Sequence, residues 1–309
     1  MSSNSTAHSN SVDDMALFAS LFAIGCVGAF GNGLVLVAFV RYKQLRKEHC
    51  CYLIAGLALC DFIIDGGAML RVLGQIYLTL SQQAARSVTC LLLTSPSVMG
   101  LYASQVQTVC VAWDRVQAFW DPSNYHFKDQ KRFAIRSVAV SLVCAVCFVL
   151  AAFVLADWDA TPSSCRFGAS VPTVYSLFYA LFCLSLSLLV ILLYIVALAL
   201  MWSQKVRSRQ DNRAARSLQR QLKVSKTVFL ILAVFLMFWV LPNFAFLTAV
   251  ALKTPNELLD SFTIVLNCFV LLNASVNPLV YAAKHGTIRT FLSAVIQCKP
   301  PAAVGLTSN

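Results

Sequence analysis

Three charged residues interrupt one long apolar run of this sequence, at Asp61, Asp65 and Arg71. An isolated carboxylate at mid-membrane costs at least about 2.5 kcal/mol on insertion scales, so Asp61 should face protein groups. A cation, a proton or hydrogen-bond donors would satisfy its charge, which indicates an ion site or a proton relay. Asp65 follows one helical turn later on the same face.

Four polar residues in other apolar runs are candidates to converge on Asp61. They are Asn32, Ser104, Asn273 and Asn277. The alternative is that these side chains only join helices through hydrogen bonds, which typically contribute well under 2 kcal/mol each. That alternative suits Asn32, but it accounts poorly for a carboxylate.

The residue types used in covalent or metal catalysis are not grouped in this sequence. We find no Cys-His, Ser-His or metal-ligand cluster, and the histidines lie outside the apolar runs, at His8, His49, His126 and His285. We therefore expect no enzyme activity.

Seven apolar segments contain or flank the polar residues. The chain is 59% hydrophobic and 12% charged, with a mean hydropathy of +0.72, which excludes a soluble domain of this size. A bilayer core of about 30 Å needs a helix of about 20 residues, whereas barrel strands need only about 9 to 11. The segments are Met15 to Val40, Cys51 to Leu73, Val88 to Trp113, Ser137 to Ala156, Val171 to Trp202, Thr227 to Leu252 and Ser261 to Ala283. The sequence predicts an all-α membrane protein, a bundle of seven transmembrane helices.

Basic residues are concentrated on one side of this bundle. With seven crossings, 20 of the 24 Lys and Arg residues fall on the side of the C-terminus. The positive-inside rule therefore places the N-terminus outside and the C-terminus in the cytoplasm of a multi-pass protein, which we expect in the plasma membrane. The net charge of +11 is then a property of the cytoplasmic face, and nucleic-acid binding need not be invoked. We predict an extracellular stretch at 1–14, a seven-helix domain at 15–283 and a cytoplasmic tail at 284–309.

One stripe of basic residues stands out between segments five and six. Its members recur every three or four residues, at Arg209, Arg213, Arg216, Arg220 and Lys223. Such a stripe suits anionic membrane lipid or the surface of a cytoplasmic protein, although a solvated loop has the same composition.

The predicted topology also indicates which cysteines can form a disulfide and which residues can be modified. Cys90 and Cys165 are the only cysteines on the predicted outside, so we expect an oxidising exterior to join them. The sequon at Asn4 predicts a glycan, and Cys298 is a candidate for palmitoylation. Two unrelated thiols and a plain cytoplasmic thiol are the respective alternatives.

Short motifs follow one another in a fixed order along the predicted helices. They are Gly31-Asn32, Leu57-Ala58-Leu59-Cys60-Asp61, Cys90, Asp114-Arg115-Val116, Pro242, Asn277-Pro278-Leu279-Val280-Tyr281 and an amphipathic stretch from Thr287 to Gln297. By these motifs the whole chain resembles a rhodopsin-like (class A) G-protein-coupled receptor with a short amphipathic eighth helix.

The resemblance implies a sodium pocket and an activation path. Four residues match the pocket, Asp61, Ser104, Asn273 and Asn277, with Asp61 as the metal ligand. The implied sodium ion stabilises the inactive state and leaves when an agonist collapses the pocket; we expect no other cofactor. The residues that match the activation path are Asp114, Arg115, Tyr194, Pro242, Asn277, Pro278 and Tyr281.

The implied roles on that path differ from residue to residue. Arg115 meets the heterotrimeric G protein once the inner end of segment six swings outward, and Asp114 pairs with Arg115 locally. Tyr194 and Tyr281 swing inward to hold the open state, although anchoring at the membrane interface is an alternative for both. Independently of the resemblance, Pro242 and Pro278 each remove a helix hydrogen bond and favour a kink.

The sequence departs from the family pattern in places. Val240 stands where a tryptophan usually lies two residues before the segment-six proline, and we expect Trp239, one place earlier, to point elsewhere. Leu222 replaces an acidic partner of Arg115. Ser97 stands where aminergic receptors carry an aspartate, and Leu271 stands where opsins carry the retinal lysine, which argues against both classes.

We expect the ligand pocket to open outward between segments two, three, five, six and seven. Its predicted lining is Arg71, Ser97, Tyr102, Tyr175, Tyr179, Asn243, Phe244 and Asn267. An inward-facing Arg71 would favour an anionic ligand or pair with Asp65, while a snorkelling Arg71 would do neither.

Short tails, the Asp-Arg-Val triplet and a cysteine-rich second segment most resemble nematode serpentine chemoreceptors of the SRSX type. A chemosensory receptor for a small molecule or peptide is therefore the expected function. A neuropeptide or other orphan rhodopsin-like receptor is the alternative. A seven-helix transporter or ion pump would also bury carboxylates, but the sequence has no inverted repeat and no further membrane acids.

Overall fold

Helices run through the parts of the chain that the structure describes. The computed structural model describes residues 3–47, 49–82, 84–121, 125, 130–162, 165, 167–207, 230, 232–251, 256–284 and 286–297. The helices are α1 (Ser3–Arg41), α2 (His49–Ser81), α3 (Ser87–Trp120), α4 (Gln130–Leu155), α5 (Thr173–Arg207), α6 (a π-helical turn Leu236–Val240 within residues 232–251, continued by Leu241–Ala251), α7 (Asn256–Lys284) and α8 (Gly286–Ile296). Two short 3₁₀ turns occur, at Leu45–Lys47 and Phe167–Ala169.

Six helices in the described ranges are long and apolar enough to cross a membrane. Their spans are Phe18–Arg41, Cys51–Ser81, Ser87–Trp120, Lys131–Leu155, Thr173–Gln204 and Val265–Ala283. In α6 the apolar stretch Leu232–Ala245 is shorter, and part of the predicted sixth segment lies outside the described residues. The prediction of an all-helical membrane protein is confirmed to this extent.

Several helices extend beyond the apolar segments that predicted them. α2 continues to Ser81, past Leu73, and α3 continues to Trp120, past Trp113. Hydropathy marks the part of a helix that lies in hydrocarbon, whereas backbone hydrogen bonds carry the helix on into the polar interface. α1 begins at Ser3, so the backbone of most of the stretch 1–14 is continuous with the first helix. The extracellular location of that stretch stays a prediction.

α3 is the central helix, in contact with α2, α4 and α5, while α1 packs against α2 and α7. Two glycines permit the close approach of α2 and α3. A Cβ on Gly67 would collide with the backbone of Pro96 and Ser97, and one on Gly100 would collide with the backbone of Ile64. Small residues of this kind are how helices come together in membranes.

The outer surface of the bundle is apolar. Large side chains such as Leu80, Val154 and Val174 are almost fully exposed, while Asn32, Asp61 and other polar residues are fully buried. This distribution is the reverse of a soluble protein and fits a surface covered by lipid tails.

The predicted amphipathic stretch from Thr287 to Gln297 corresponds to α8. Ile288 and Phe291 are buried, with Phe291 against the ring of Tyr42, whereas Arg289 and Thr290 are exposed. α8 therefore closes the inner end of α1 and α7 with one apolar face.

Candidate functional site

Asp61 is fully buried on α2, where α3 and α7 meet that helix. Ser104 Oγ donates a hydrogen bond of 2.8 Å to Asp61 Oδ1. Asn277 Nδ2 donates one of 2.7 Å to Asp61 Oδ2. The structure thus brings together three of the four residues predicted for the sodium pocket.

The other two asparagines predicted to approach Asp61 lie elsewhere. Asn32 Nδ2 donates to Asp65 Oδ2 and to the carbonyl oxygen of Ala274, at 3.2 Å each, so the partner of Asn32 is Asp65 and not Asp61. Asn273 is half-buried and makes no hydrogen bond to Asp61 among the described residues. It lies one turn, about 6 Å along the axis, from Asn277, which already bonds Asp61 Oδ2.

The atoms around Asp61 fit a small, hard cation. Asn277 Oδ1 is buried without a hydrogen-bond donor in the described part of the chain, and Ser104 Oγ and the carboxylate add further oxygens. Such oxygen ligands suit hard cations. No group of three His, Cys, Asp or Glu side chains suitable for a metal occurs among the described residues. Asp61, Ser104 and Asn277 are the residues that would hold a sodium ion here.

Arg115 lies at the inner end of α3, 7% exposed, in an ion pair with Asp114. Tyr125, in the loop that follows α3, donates to Asp114 Oδ1 at 3.0 Å and accepts from Arg115 Nη2 at 3.3 Å. The local pairing with Asp114 agrees with the sequence analysis. The sequence analysis missed Tyr125, because nothing marks a loop tyrosine as a partner of an arginine ten residues earlier.

Two tyrosines lie between Asp61 and Arg115. Tyr194 on α5 is 1% exposed and Tyr281 on α7 is fully buried. Neither therefore anchors the bundle at the membrane surface, which was the alternative for both. The Tyr281 hydroxyl has no hydrogen-bond partner within the described residues. A buried polar core thus extends from Asp61 towards Arg115.

A π-helical turn precedes Pro242 in α6. It spans Leu236–Val240, and the amide of Leu241 donates to the carbonyl oxygen of Leu236, five residues back. Asn243 Nδ2 donates to the carbonyl oxygen of Trp239 at 2.8 Å, so a side chain supplies a donor next to the proline. π turns and prolines are the usual causes of helix kinks.

The expectation that Trp239 points away from the pocket was wrong. Trp239 is 4% exposed, lines the cavity, and donates from Nε1 to Ser187 Oγ at 3.2 Å. The π turn holds one more residue than an α-helical turn, and this rotates Trp239 relative to Pro242. The extra residue of the π turn therefore compensates for the position of Trp239, which lies one residue further from Pro242 than the family pattern has it.

The disulfide between Cys90 and Cys165 is present, as predicted, with the two Cα atoms 5.0 Å apart. Gln75 Nε2 donates to the carbonyl oxygen of Cys165 at 3.1 Å and fixes the same loop to α2. The 3₁₀ turn Phe167–Ala169 follows directly and lines the cavity. The disulfide therefore holds the loop over the outer end of the bundle.

A cavity of about 370 Å³ lies beneath this loop, bounded mainly by α2, α3, α5, α6 and α7. Five of the eight predicted residues line it, namely Arg71, Ser97, Tyr179, Asn243 and Asn267. Arg71 is the one charged residue among the described residues of the lining, and most of the other lining side chains are apolar. Val240 and Leu271 also contribute to the wall. The position and size are those of a small-molecule pocket.

Three predicted lining residues are absent from that wall. Tyr102 is buried in an aromatic cluster, with its ring centroid 3.7 Å from that of Phe148 on α4. Tyr175 donates its hydroxyl to the carbonyl oxygen of Phe148. Phe244 is 66% exposed and faces outward. Hydropathy cannot distinguish aromatic residues that face a cavity, a neighbouring helix or lipid.

Some predicted sites lie outside the described residues. They are the side chain of Asn4, Cys298, Leu222 and the basic stripe Arg209, Arg213, Arg216, Arg220 and Lys223. The glycan, the palmitoyl group and the lipid or G-protein contact of the stripe remain predictions.

The geometry shows a cavity near one end of a helical bundle, a paired arginine near the opposite end and a buried polar core between them. A sequence model of the 7 transmembrane receptor (rhodopsin family) matches residues 31–281, most of the chain. The match begins at Gly31 and ends at Tyr281, so it includes Asp61, Arg115 and all the cavity-lining residues except Leu21. The protein is a multi-pass membrane receptor of the rhodopsin family of seven-transmembrane receptors.

Proposed function

We propose that this receptor transmits the binding of an extracellular ligand to a heterotrimeric G protein in the cytoplasm. The observation that carries the proposal is that the cavity and the buried Arg115 lie at opposite ends of α3. Ser97 lines the cavity, and Arg115 lies 18 residues further, or about 27 Å along the helix. The polar core around Asp61 lies between them.

Arg115 is the proposed contact for the G protein. In the structure its guanidinium is occupied by Asp114 and Tyr125. Separation of that cluster frees a planar group with several N–H donors, which suits carbonyl groups of a docked partner. The cluster therefore favours the uncoupled state.

α6 is the proposed moving element. Pro242 and the π turn give this helix a natural pivot, and Trp239 places the pivot in the wall of the ligand cavity. A ligand shifts such an equilibrium only through different affinities for the two shapes. Contacts of the ligand with Trp239 and Asn243, which lie on the two sides of the pivot, supply the difference in affinity between the two shapes.

Asp61, Ser104 and Asn277 are the proposed sodium site. The ion would supply a positive charge to a buried carboxylate and link α2, α3 and α7. Oxygen ligands and a buried, donor-free Asn277 Oδ1 support this assignment.

The ligand is proposed to be a small molecule with an anionic group, which fits a chemosensory receptor. Within the part of the wall that the structure describes, Arg71 carries the one charge and the other side chains are mainly apolar. A positive charge in apolar surroundings of low dielectric constant interacts strongly with an anion. The size of the cavity suits a small molecule better than a folded peptide.

The orientation follows from charge. With 20 of 24 basic residues on the side of the C-terminus, we infer an outside N-terminus and a cytoplasmic C-terminus in the plasma membrane. This orientation places Arg115 in the cytoplasm and the Cys90–Cys165 disulfide in the oxidising exterior.

The decisive variant is Arg115→Ala. Agonists come from a screen of cells that express the chain together with a promiscuous G protein. We expect Arg115→Ala to abolish agonist-stimulated nucleotide exchange and to leave agonist binding intact, because the arginine lies far from the cavity. Arg86→Ala is the matched control, since it removes only an exposed ion pair with Asp159, worth at most about 1 kcal/mol. Normal exchange from Arg115→Ala would refute the proposed coupling.

The ligand class has its own test in the same screen. Carboxylic acids and their primary amides are compared pairwise, and we expect the acids to be the active members. Arg71→Gln should raise the effective concentration of an active acid by about tenfold or more, because hydrogen bonds to charged groups contribute about 1.5–3 kcal/mol. Arg86→Gln should leave it unchanged. Amides as potent as their acids would refute the role of Arg71.

A further inference from the structure

Asp65 is a second buried carboxylate on α2, one turn outside Asp61, and it is fully inaccessible. Its Oδ2 accepts one hydrogen bond, from Asn32 Nδ2 at 3.2 Å. Its Oδ1 is buried without a hydrogen-bond donor in the described part of the chain. Asp61, by contrast, has a donor on each oxygen. Asp65 is therefore the less satisfied of the two acids, and a buried charge in that condition is costly.

The described polar groups beside Asp65 provide hydrogen-bond acceptor oxygens but no further hydrogen-bond donors. Asn32 uses its Nδ2 for Asp65 and for the carbonyl oxygen of Ala274, and its Oδ1 is buried without a donor within the described residues. Ser275 donates its only hydroxyl hydrogen to the carbonyl oxygen of Ile24. The lone pairs of these oxygens remain available to a positive ion.

α1 approaches this cluster through Gly28. A Cβ at that position would collide with Asp65 Oδ2 and with Ser275 Oγ, so both oxygens lie against the same point of α1. α1, α2 and α7 thus bring acceptor oxygens together in a cluster that is separate from the α2–α3–α7 cluster around Asp61.

No base neutralises the pair of acids within the described residues. The ion pairs recorded there join Arg86 to Asp159 and Arg115 to Asp114. Two carboxylates one turn apart on α2 would, when ionised, favour a cation in their vicinity. Since the ligands are oxygens and no group of three His, Cys, Asp or Glu side chains occurs among the described residues, a hard monovalent cation fits better than a transition metal.

We propose that Asp65, Asn32 and Ser275 form a second sodium site, between α1, α2 and α7, separate from the site proposed at Asp61. The ion binds the free carboxylate oxygen of Asp65 and the amide oxygen of Asn32, with Ser275 Oγ as a neutral ligand. It links α1 to the two helices that carry the polar core. The site requires neither a ligand in the outer cavity nor a G protein.

The test is the thermal stability of the purified full-length receptor in NaCl against choline chloride at constant ionic strength. In the Asp61→Asn background we expect a sodium-dependent rise in Tm to persist, and Asp61→Asn/Asp65→Asn to lose it. The proposal is overturned if the wild type shows no sodium response, if Asp61→Asn alone abolishes it, or if Asp61→Asn/Asp65→Asn retains it. The last result is what a protonated, purely structural Asp65 would give, since asparagine mimics a neutral acid.

A glycine pair on α1 provides a second test that retains Asp65. In the Asp61→Asn background, Gly28→Ala should raise the apparent Kd for sodium by about tenfold or more, because its Cβ displaces Asp65 and Ser275. Gly33→Ala is the matched control, since its Cβ makes only ordinary contact with the Phe62 ring, at 3.5 Å. Equal sodium responses from the two variants contradict the proposal, even if the Asp65 variant fails to fold. These readouts involve no signalling, so their failure would leave the proposed receptor function untouched.

Discussion

Tyr125 contacts both Arg115 and Asp114 at one end of α3. Its hydroxyl donates to Asp114 Oδ1 and accepts from Arg115 Nη2, so one side chain touches both members of the ion pair. Its amide also donates to the carbonyl oxygen of Asp121, which fixes the start of the loop after α3. Release of Arg115 therefore requires a change in that loop as well as in the ion pair.

Tyr125→Phe tests this arrangement. Removal of the hydroxyl leaves Asp114 Oδ1 with one donor fewer and loosens Arg115, so we expect basal nucleotide exchange to rise by up to about tenfold. The estimate follows from about 1.5 kcal/mol for a hydrogen bond to a charged group. Tyr77→Phe, exposed on α2, is the control. Unchanged basal exchange would show that Tyr125 does not restrain Arg115.

The sequence located best those residues that need a charged or hydrogen-bonding partner when they are buried in a membrane. A carboxylate in hydrocarbon needs partners, and Ser104 and Asn277 do bond Asp61. Asn32 and Asn273 were candidates for Asp61, but Asn32 bonds Asp65, because the spacing along a helix does not fix which of two acids one turn apart an amide reaches. Tyr125 could not be located, because its position depends on the path of a loop.

Among the described helices, α6 differs most from what the sequence predicts, because one of its turns is π-helical. Hydropathy marks apolar residues but contains no information on whether a turn holds the α-helical or the π-helical number of residues. The spacing of Trp239 from Pro242, one residue longer than the family pattern, was the one available signal. This longer spacing was interpreted as the absence of the usual tryptophan, whereas the π turn brings Trp239 into the cavity wall.

The contact between α2 and α3 depends on glycine. Gly67→Ala places a Cβ against the backbone of Pro96 and Ser97, which cannot move aside like a side-chain tip. We expect a loss of about 1–3 kcal/mol, as for other overpacked sites, measured as a lower Tm. Gly66→Ala is the control, because its Cβ meets nothing within 4 Å and alanine raises helix propensity by about 1 kcal/mol. Equal Tm values would show that α2 can move away from α3 at little cost.

At the scale of the whole molecule, the Cys90–Cys165 disulfide holds a loop over the cavity. The disulfide joins residues 75 positions apart and holds the turn Phe167–Ala169 in the cavity wall. Its prediction needed only topology, because the exterior contained two cysteines once the charges had set the orientation. The shape of the cavity beneath it was beyond prediction, since that shape depends on the rotation of five helices.

Cys90→Ser tests the disulfide at this scale. We expect a lower Tm, by an amount equivalent to at most about 4 kcal/mol, because the closed loop is long. We also expect weaker agonist responses, because the turn that lines the cavity is released. Cys144→Ser, an exposed free cysteine on α4, is the control. An undiminished response to agonist would show that the loop keeps its place without the bond.

The apolar side chains on the outside of the bundle have a thermodynamic consequence. Val143 and Val154 are as hydrophobic as many side chains in the interior, and the hydrocarbon tails of lipid or detergent cover them. The surrounding bilayer therefore acts as an additional outer layer of the core, and its thickness and fluidity enter the free energy of folding. Any stability measured for this receptor is a joint property of the polypeptide and of the detergent or lipid that solvates it.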